Sequence, residues 1–348
     1  MFAKRILGKG DRIDTLVAMD YGYANTLHLS GLTCILWLSG CATLAAQSDQ
    51  KPPPIIPITQ GESHRMLVGG NGTARIAVID LKGGLEWLLR VTDDCNDACL
   101  THDGHILYTY TRGAKMITRQ GEPVWQYRTC DAPVGGEIHS AQPLPNGNVV
   151  VAKSGSPPRI LEIDRQGNII ANIVVSTKIT NPHATFRQVR KTPEGTYLYG
   201  LLAETADGEN KKLYEVDGTG KLIRSFPVAL HAFVGIRLPD GNTLVAGGNG
   251  HEIIEFDKDA KEVWKITENE LPERPLRYVS GLQRLPNGNT VFVNWQPGGR
   301  GVPRYPQITE VTRDKKIVWE YMNFAQLNML STVQIIDDNI LKAGPALR

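Results

Sequence analysis

From Leu67 onward, short runs that alternate apolar and polar residues are separated by clusters of Pro, Gly, Asn and Asp. Period-2 alternation bounded by such residues predicts strands joined by tight turns. In the best-formed stretch, Val234 to Leu238 is a predicted strand, Pro239-Asp240-Gly241-Asn242 a turn and Thr243 to Ala246 a second strand. Glu252 to Phe256, Asp257-Lys258-Asp259-Ala260 and Glu262 to Ile266 then predict a third strand, another turn and a fourth strand. The same order recurs from Ala141 to Val175, Val189 to Val228 and Leu282 to Met322.

The unit carries its own marker. Leu285-Pro286-Asn287-Gly288 has close copies at Leu144-Pro145-Asn146-Gly147 and Leu238-Pro239-Asp240-Gly241, and weaker ones at Thr192-Pro193-Glu194-Gly195 and Thr101-His102-Asp103-Gly104. Successive glycines Gly104, Gly147, Gly195, Gly241 and Gly288 are 43, 48, 46 and 47 residues apart. A repeat of that length built from short strands is a propeller blade. Gln334 to Asn339 supplies a sixth inner strand and turn, and Leu67 to Arg90 matches the last three strands of the unit, so the two ends complete one blade. The expected fold is all-β: a six-bladed propeller of four-stranded antiparallel blades, closed by N- and C-terminal strands. Seven blades is the alternative, with Ile340 to Gly344 as the extra strand.

Trp87, Trp125, Trp264 and Trp319 recur at one place in the outer strand, which assigns them to packing between blades. Trp295 lies outside that register. The turns joining strands one to two and three to four are short and alike, whereas the connections from outer to next inner strand, and from strand two to three, are long and dissimilar. In an antiparallel meander both variable classes fall on one face, the expected binding surface. The residues that lead into the inner strands there are His139, His183 with Arg187, His231, and Arg277 with Tyr278; Trp295 and Arg300 lie in the longest loop between strands two and three. The histidines precede their turn glycines by different distances, a difference that bulges would absorb. Three imidazoles converging on the channel would suit a divalent metal such as zinc. Without metal they offer a nucleophile or a general acid and base, beside arginines able to grip an anion in two places. A structural role, satisfying backbone groups at blade edges, is the competing reading for each histidine.

Composition narrows the partners. With 38 Lys+Arg against 36 Asp+Glu there is no basic field for nucleic acid. The 35 Gly and 21 Pro serve turns. Residues 1–46 stand apart: the apolar stretch from Leu27 ends in Leu38-Ser39-Gly40-Cys41, a lipobox-like sequence that makes Cys41 a lipidation candidate. Cleavage near Ala45-Ala46-Gln47, or a buried apolar segment, are the other readings. Residues 47–65, with Pro52-Pro53-Pro54, read as a tether, and 66–348 as the propeller. The expectation is an exported monomer that is periplasmic, at the cell surface or an outer-membrane lipoprotein, meeting a membrane only through a lipid anchor. Cys95, Cys99 and Cys130 allow one disulfide from Cys130 to Cys95 or Cys99, or three buried thiols.

The pattern Asp/Lys-x-x-Gly-Lys-x-x-Trp followed by Leu-Pro-Asn-Gly-Asn resembles quinoprotein-like propeller repeats and, more particularly, bacterial arylsulfate sulfotransferase-like six-bladed propellers. In that family a channel-mouth His carries a sulfuryl group with the help of other His and Arg residues. The resemblance implies that His139, His183, Arg187 and His231 could take those roles. Pyrroloquinoline quinone is not implied, because the dehydrogenases that bind it have larger propellers and a vicinal Cys pair that is missing here. Propeller lyases with a His-based metal site are a second analogy. Two functions therefore stand side by side: a propeller whose variable face binds an anionic or carbohydrate-like small molecule, or a protein partner, and a channel-mouth enzyme working by sulfuryl transfer or by metal-assisted lyase or hydrolase chemistry.

Overall fold

The computed structural model describes residues 63–70, 74–91, 93–129, 136–271, 274–296, 304–342 and 348. Cys41, the signal-like segment, Cys130 and Arg300 lie outside the described residues.

Strands β1 (Met66–Gly70), β2 (Arg75–Ile79) and β3 (Leu85–Arg90) form three quarters of blade one. Blade two is β4 (Ala98–Leu100), β5 (Ile106–Tyr110), β6 (Gly113–Ile117) and β7 (Pro123–Arg128). Blade three is β8 (Ile138–Pro143), β9 (Val149–Lys153), β10 (Arg159–Ile163) and β11 (Ile169–Val174). Blade four is β12 (Phe186–Lys191), β13 (Tyr197–Leu201), β14 (Lys212–Val216) and β15 (Leu222–Pro227). Blade five is β16 (Val234–Arg237), β17 (Thr243–Ala246), β18 (Glu252–Phe256) and β19 (Glu262–Thr267). Blade six is β20 (Val279–Arg284), β21 (Thr290–Asn294), β22 (Ile308–Val311) and β23 (Ile317–Tyr321). Finally β24 (Thr332–Ile335) returns antiparallel to β1, Met66 opposite Ile335, and completes blade one. The described residues thus form six four-stranded antiparallel sheets. Asp338–Lys342 is helical, so the strand that a seventh blade would have needed there does not form.

Blades pack through their alternating aliphatic faces. Val150, Ala152 and Ile160 of blade three meet Phe186, Val189 and Tyr197 of blade four, all buried, and each Val, Ile or Phe side chain among them contributes about 1.5–3 kcal/mol relative to exposure. Tryptophans add a polar stitch: the indoles of Trp87, Trp125 and Trp264 donate to the carbonyls of Arg119, Asp164 and Arg313, at 2.9, 2.9 and 2.7 Å, in the following blade. Trp125 and Trp319 are buried, whereas Trp264 is half-buried with the guanidiniums of Arg284 and Arg313 over its ring.

The repeated turn has a second purpose. Its last residue reaches a buried Glu on the third strand, and that Glu takes a cation from the following blade. Asn148 and Lys191 lie 2.7 and 2.5 Å from Glu162, Thr196 and Arg237 each 2.6 Å from Glu215. Asn242 and Arg284 lie 2.9 and 2.6 Å from Glu255, and Asn289 and His64 2.7 and 2.8 Å from Glu310. A buried carboxylate is tolerated because its partners replace water. Blade two places Met116 at this position instead, against Arg165. Cys95 and Cys99 are buried free thiols rather than disulfide partners.

Candidate functional site

All inner strands traverse the ring in the same direction, so the residues leading into them share one rim of the channel. Strand two runs the other way, so the loops that follow it return to that rim. Bulges aim the lead-in residues. In β8, Ile138 faces Lys153 and Ser140 faces Ala152, which leaves His139 as the extra residue. In β12, Phe186 faces Leu201 and Val189 faces Tyr199, so Arg187 and Gln188 oppose Gly200 alone. Extra residues in a strand re-aim side chains in this way.

His139 is 2% exposed, and its Nε2 lies 2.8 Å from Glu137 Oε2. His183 sits in a single 3-10 turn, Pro182–Ala184, whose first residues are pinned by Asn181 Oδ1 accepting from the His183 amide at 3.1 Å. From there its Nδ1 lies 2.7 Å from the same Glu137 oxygen, and its ring stands edge-on to His139 with centroids 5.4 Å apart. Hydrogen bonds from the two imidazoles hold the Glu137 carboxyl well below the usual carboxylate range. Burial, with the Arg187 charge adding to it, pushes His139 down despite Glu137. Its Nδ1 faces the Phe186 carbonyl at 3.0 Å and Arg187 Nη1 at 3.0 Å.

Arg187 is the hub. Besides His139, its Nη1 donates to the His183 and Phe186 carbonyls at 3.0 and 3.3 Å. Among the described residues it has no ion-pair partner. Its charge reaches the next two blades. Burial and then the Arg187 charge hold His231 down at about 4, while burial raises the Tyr278 hydroxyl against the lowering effect of the Arg187 charge and hydrogen bond. His231 is 5% exposed, its φ is +27°, and its Nδ1 is buried without a hydrogen-bond partner. Gly248, at φ +47°, allows this packing, since a Cβ there would stand 2.6 Å from the His231 carbonyl and 2.9 Å from its Nδ1. The loop is stitched to blade six by Gly248 and Val279, whose amides exchange hydrogen bonds with each other's carbonyls at 3.1 and 3.2 Å. Asn249 Nδ2 then lies 3.3 Å from His231 Nε2. Tyr278 packs near His231, Phe233 and Trp295, with centroids 5.7, 5.8 and 5.5 Å apart.

The structure therefore brings His139, His183, Arg187, His231, Tyr278 and Trp295 to one rim. The three imidazoles do not form one ligand set as expected: His139 and His183 meet on Glu137, and His231 lies beyond Arg187 against Tyr278. Arg277 is exposed, with its guanidinium over the Tyr305 ring at 5.4 Å. Glu137 and Asn249 were missed from sequence. Glu137 stands two residues before His139, a spacing that puts both side chains on one side of an extended chain.

A sequence model of the Mal s 1 allergenic protein-like family matches residues 73–283, a span that includes every member of this cluster except Trp295. Among solved structures, a protein of unknown function from Bacteroides caccae is 32% identical, with a TM-score of 0.70 over 78% of this chain and 98% of that one. A streptogramin B lyase is 12% identical, with a TM-score of 0.52 over 78% of this chain and 87% of its own. Catalytically inactive virginiamycin B lyase from Staphylococcus aureus with quinupristin is 13% identical, with a TM-score of 0.52 over 78% and 89%. At 12–13% identity the likeness is one of fold alone. No curated protein matches the sequence. What these proteins share with the resemblance read from the repeats is the propeller itself.

Proposed function

The chain belongs to the Mal s 1 allergenic protein-like family, and on that premise we propose that it is a binding propeller whose channel mouth takes an anionic small molecule. The observation that carries this reading is Arg187: a half-buried guanidinium without a carboxylate among the described residues, beside a histidine held neutral by burial. A cation partly withdrawn from water and left unpaired favours an acidic group from outside, which it can hold through two parallel hydrogen bonds. Tyr278 and Trp295 offer ring faces to an aromatic or sugar body attached to that group. The signal-like N-terminus supports a setting outside the cytoplasm, and mass spectrometry of the native N-terminus tests it: an unprocessed chain in the cytoplasm would overturn that part. For the site, phenyl sulfate, phenyl phosphate and phenol are titrated against the protein. The acids should bind and phenol should not, with the difference lost in Arg187→Ala; equal binding of phenol would remove the reading.

Catalysis at the same rim is the second reading. It draws on His183, whose Nδ1 is engaged by Glu137 while its Nε2 has no partner among the described residues. A carboxylate that orients one ring nitrogen leaves the other as base or nucleophile. In the sulfuryl-transfer version Nε2 attacks sulfur, the sulfur–oxygen bond breaks and the phenolate leaves. Metal-assisted lyase or hydrolase chemistry, without transfer of a group to the protein, is the other version. Incubation with an aryl sulfate followed by peptide mass spectrometry distinguishes the versions: a sulfated His183 supports transfer, and an unlabelled protein argues against it.

A further inference from the structure

We infer that Glu137, His139 and His183 hold a divalent transition-metal ion of the zinc type. Their ligand atoms all lie within 4.8 Å of one another, and both imidazole nitrogens point at one carboxylate oxygen, at 2.8 and 2.7 Å. Two neutral nitrogens and one carboxylate oxygen are the donor set of a three-ligand zinc site with a position left open. Each ligand comes from a separate constraint: His139 from a strand bulge, His183 from a turn capped by Asn181, and Glu137 from the segment before β8. Bonds of about 2.0–2.1 Å would set tetrahedral ligand atoms about 3.3 Å apart, so the cluster has to open by about half an ångström. His183, whose side chain is 60% exposed, has room to make that movement.

Atoms behind the ligands fit the same assignment. A metal-bound imidazole usually donates its other N–H to a carbonyl or carboxylate, which fixes its tautomer and orientation. The Phe186 carbonyl stands 3.0 Å from His139 Nδ1, in place to accept that hydrogen bond. With the ion on Nε2, the ring proton moves to Nδ1 and points at Phe186. Arg187 Nη1, 3.0 Å from Nδ1, then loses an acceptor but keeps the His183 and Phe186 carbonyls. Loading the ion thus leaves Arg187 with hydrogen-bonding capacity to spare. The metal site does not rest on the anion-binding reading, although the two would be coupled through this side chain.

The test is calorimetric titration of zinc into the metal-free full chain, repeated with His183→Ala and Glu137→Gln. One ion should bind per chain, and each variant should weaken it at least about 100-fold. His183 is exposed, so His183→Ala should keep the melting temperature and far-UV spectrum of the parent. Cobalt(II) provides an independent signal, since visible absorption from a low-coordinate site should appear in the parent and vanish in His183→Ala. No zinc binding, or equal affinity in parent and both variants, overturns the inference. Phenyl sulfate binding is measured separately in chelator: its absence leaves the metal result standing, and its presence does not rescue a failed one.

Discussion

The two rims of the ring solve the same problem in opposite ways. On the turn rim, each of four buried glutamates, Glu162, Glu215, Glu255 and Glu310, has a side-chain donor from its own blade and a cation from the next. Sequence and geometry repeat together there, because each copy performs the same task of locking one blade to its neighbour. On the opposite rim the blades offer different sets: Glu137 and His139 from blade three, His183 and Arg187 from blade four, His231 from blade five and Tyr278 from blade six. Arg187 has no carboxylate partner among the described residues, His231 Nδ1 is buried without a partner and its backbone sits at positive φ. A carboxylate supplied with a cation marks structure, whereas a cation given no carboxylate among the described residues marks where an acidic group from outside would fit.

The contrast can be broken at the turn rim first. Glu255→Ala leaves Arg284 buried without its carboxylate and should cost about 3–5 kcal/mol in denaturant unfolding, with phenyl sulfate affinity unchanged in the folded fraction. Trp319→Ala, at a site only 3% exposed, should cost about 3–5 kcal/mol, and half-buried Trp264→Ala less than about 3 kcal/mol. If Trp264→Ala proved the more damaging of the two, burial would not be what ranks the repeated tryptophans. On the other rim, Arg187→Ala should weaken an acidic ligand by about 10- to 100-fold, with a smaller loss of stability than at the turn rim, because it removes charge-assisted hydrogen bonds from a side chain that pairs with no carboxylate among the described residues. The remaining effect concerns the seam. Burial opposes charge on His64, but its hydrogen bonds to Asp337 and Glu310 outweigh burial and raise the imidazole from 6.5 to about 9. A folded pKa above the unfolded one means that the stabilisation is complete below pH 6.5 and fades as the pH rises through about 9. Melting temperatures recorded from pH 6 to 10 should fall over that window, and His64→Gln should flatten the decline.

The fold was legible because its punctuation is local. A Pro-Asn-Gly turn dictates its own geometry, and blade five has its strands where the alternation put them, within a residue at each end. The glutamate locks were harder to see. Glu162, Glu215, Glu255 and Glu310 recur one residue before the end of strand three, yet a charged residue in an alternating strand reads as solvent-facing, and only the neighbouring blade reveals its partner. At the candidate site the residue types were visible, but their grouping was not. A bulge at His139 sets which imidazole meets Glu137, and Asn249 joins His231 only because the blade-five loop is stitched to Val279. Such pairings depend on where separate blades come to rest.

The closure of blade one by β24 also orders events in time. During synthesis β1 emerges before the other strands of the ring and its partner after them, so for that interval one edge of the first sheet has unpaired amides and carbonyls. An open strand edge recruits other strands, including those of neighbouring nascent chains. The ring therefore becomes safe from self-association only when its final strand arrives. The last blade to be finished is also the first to be started.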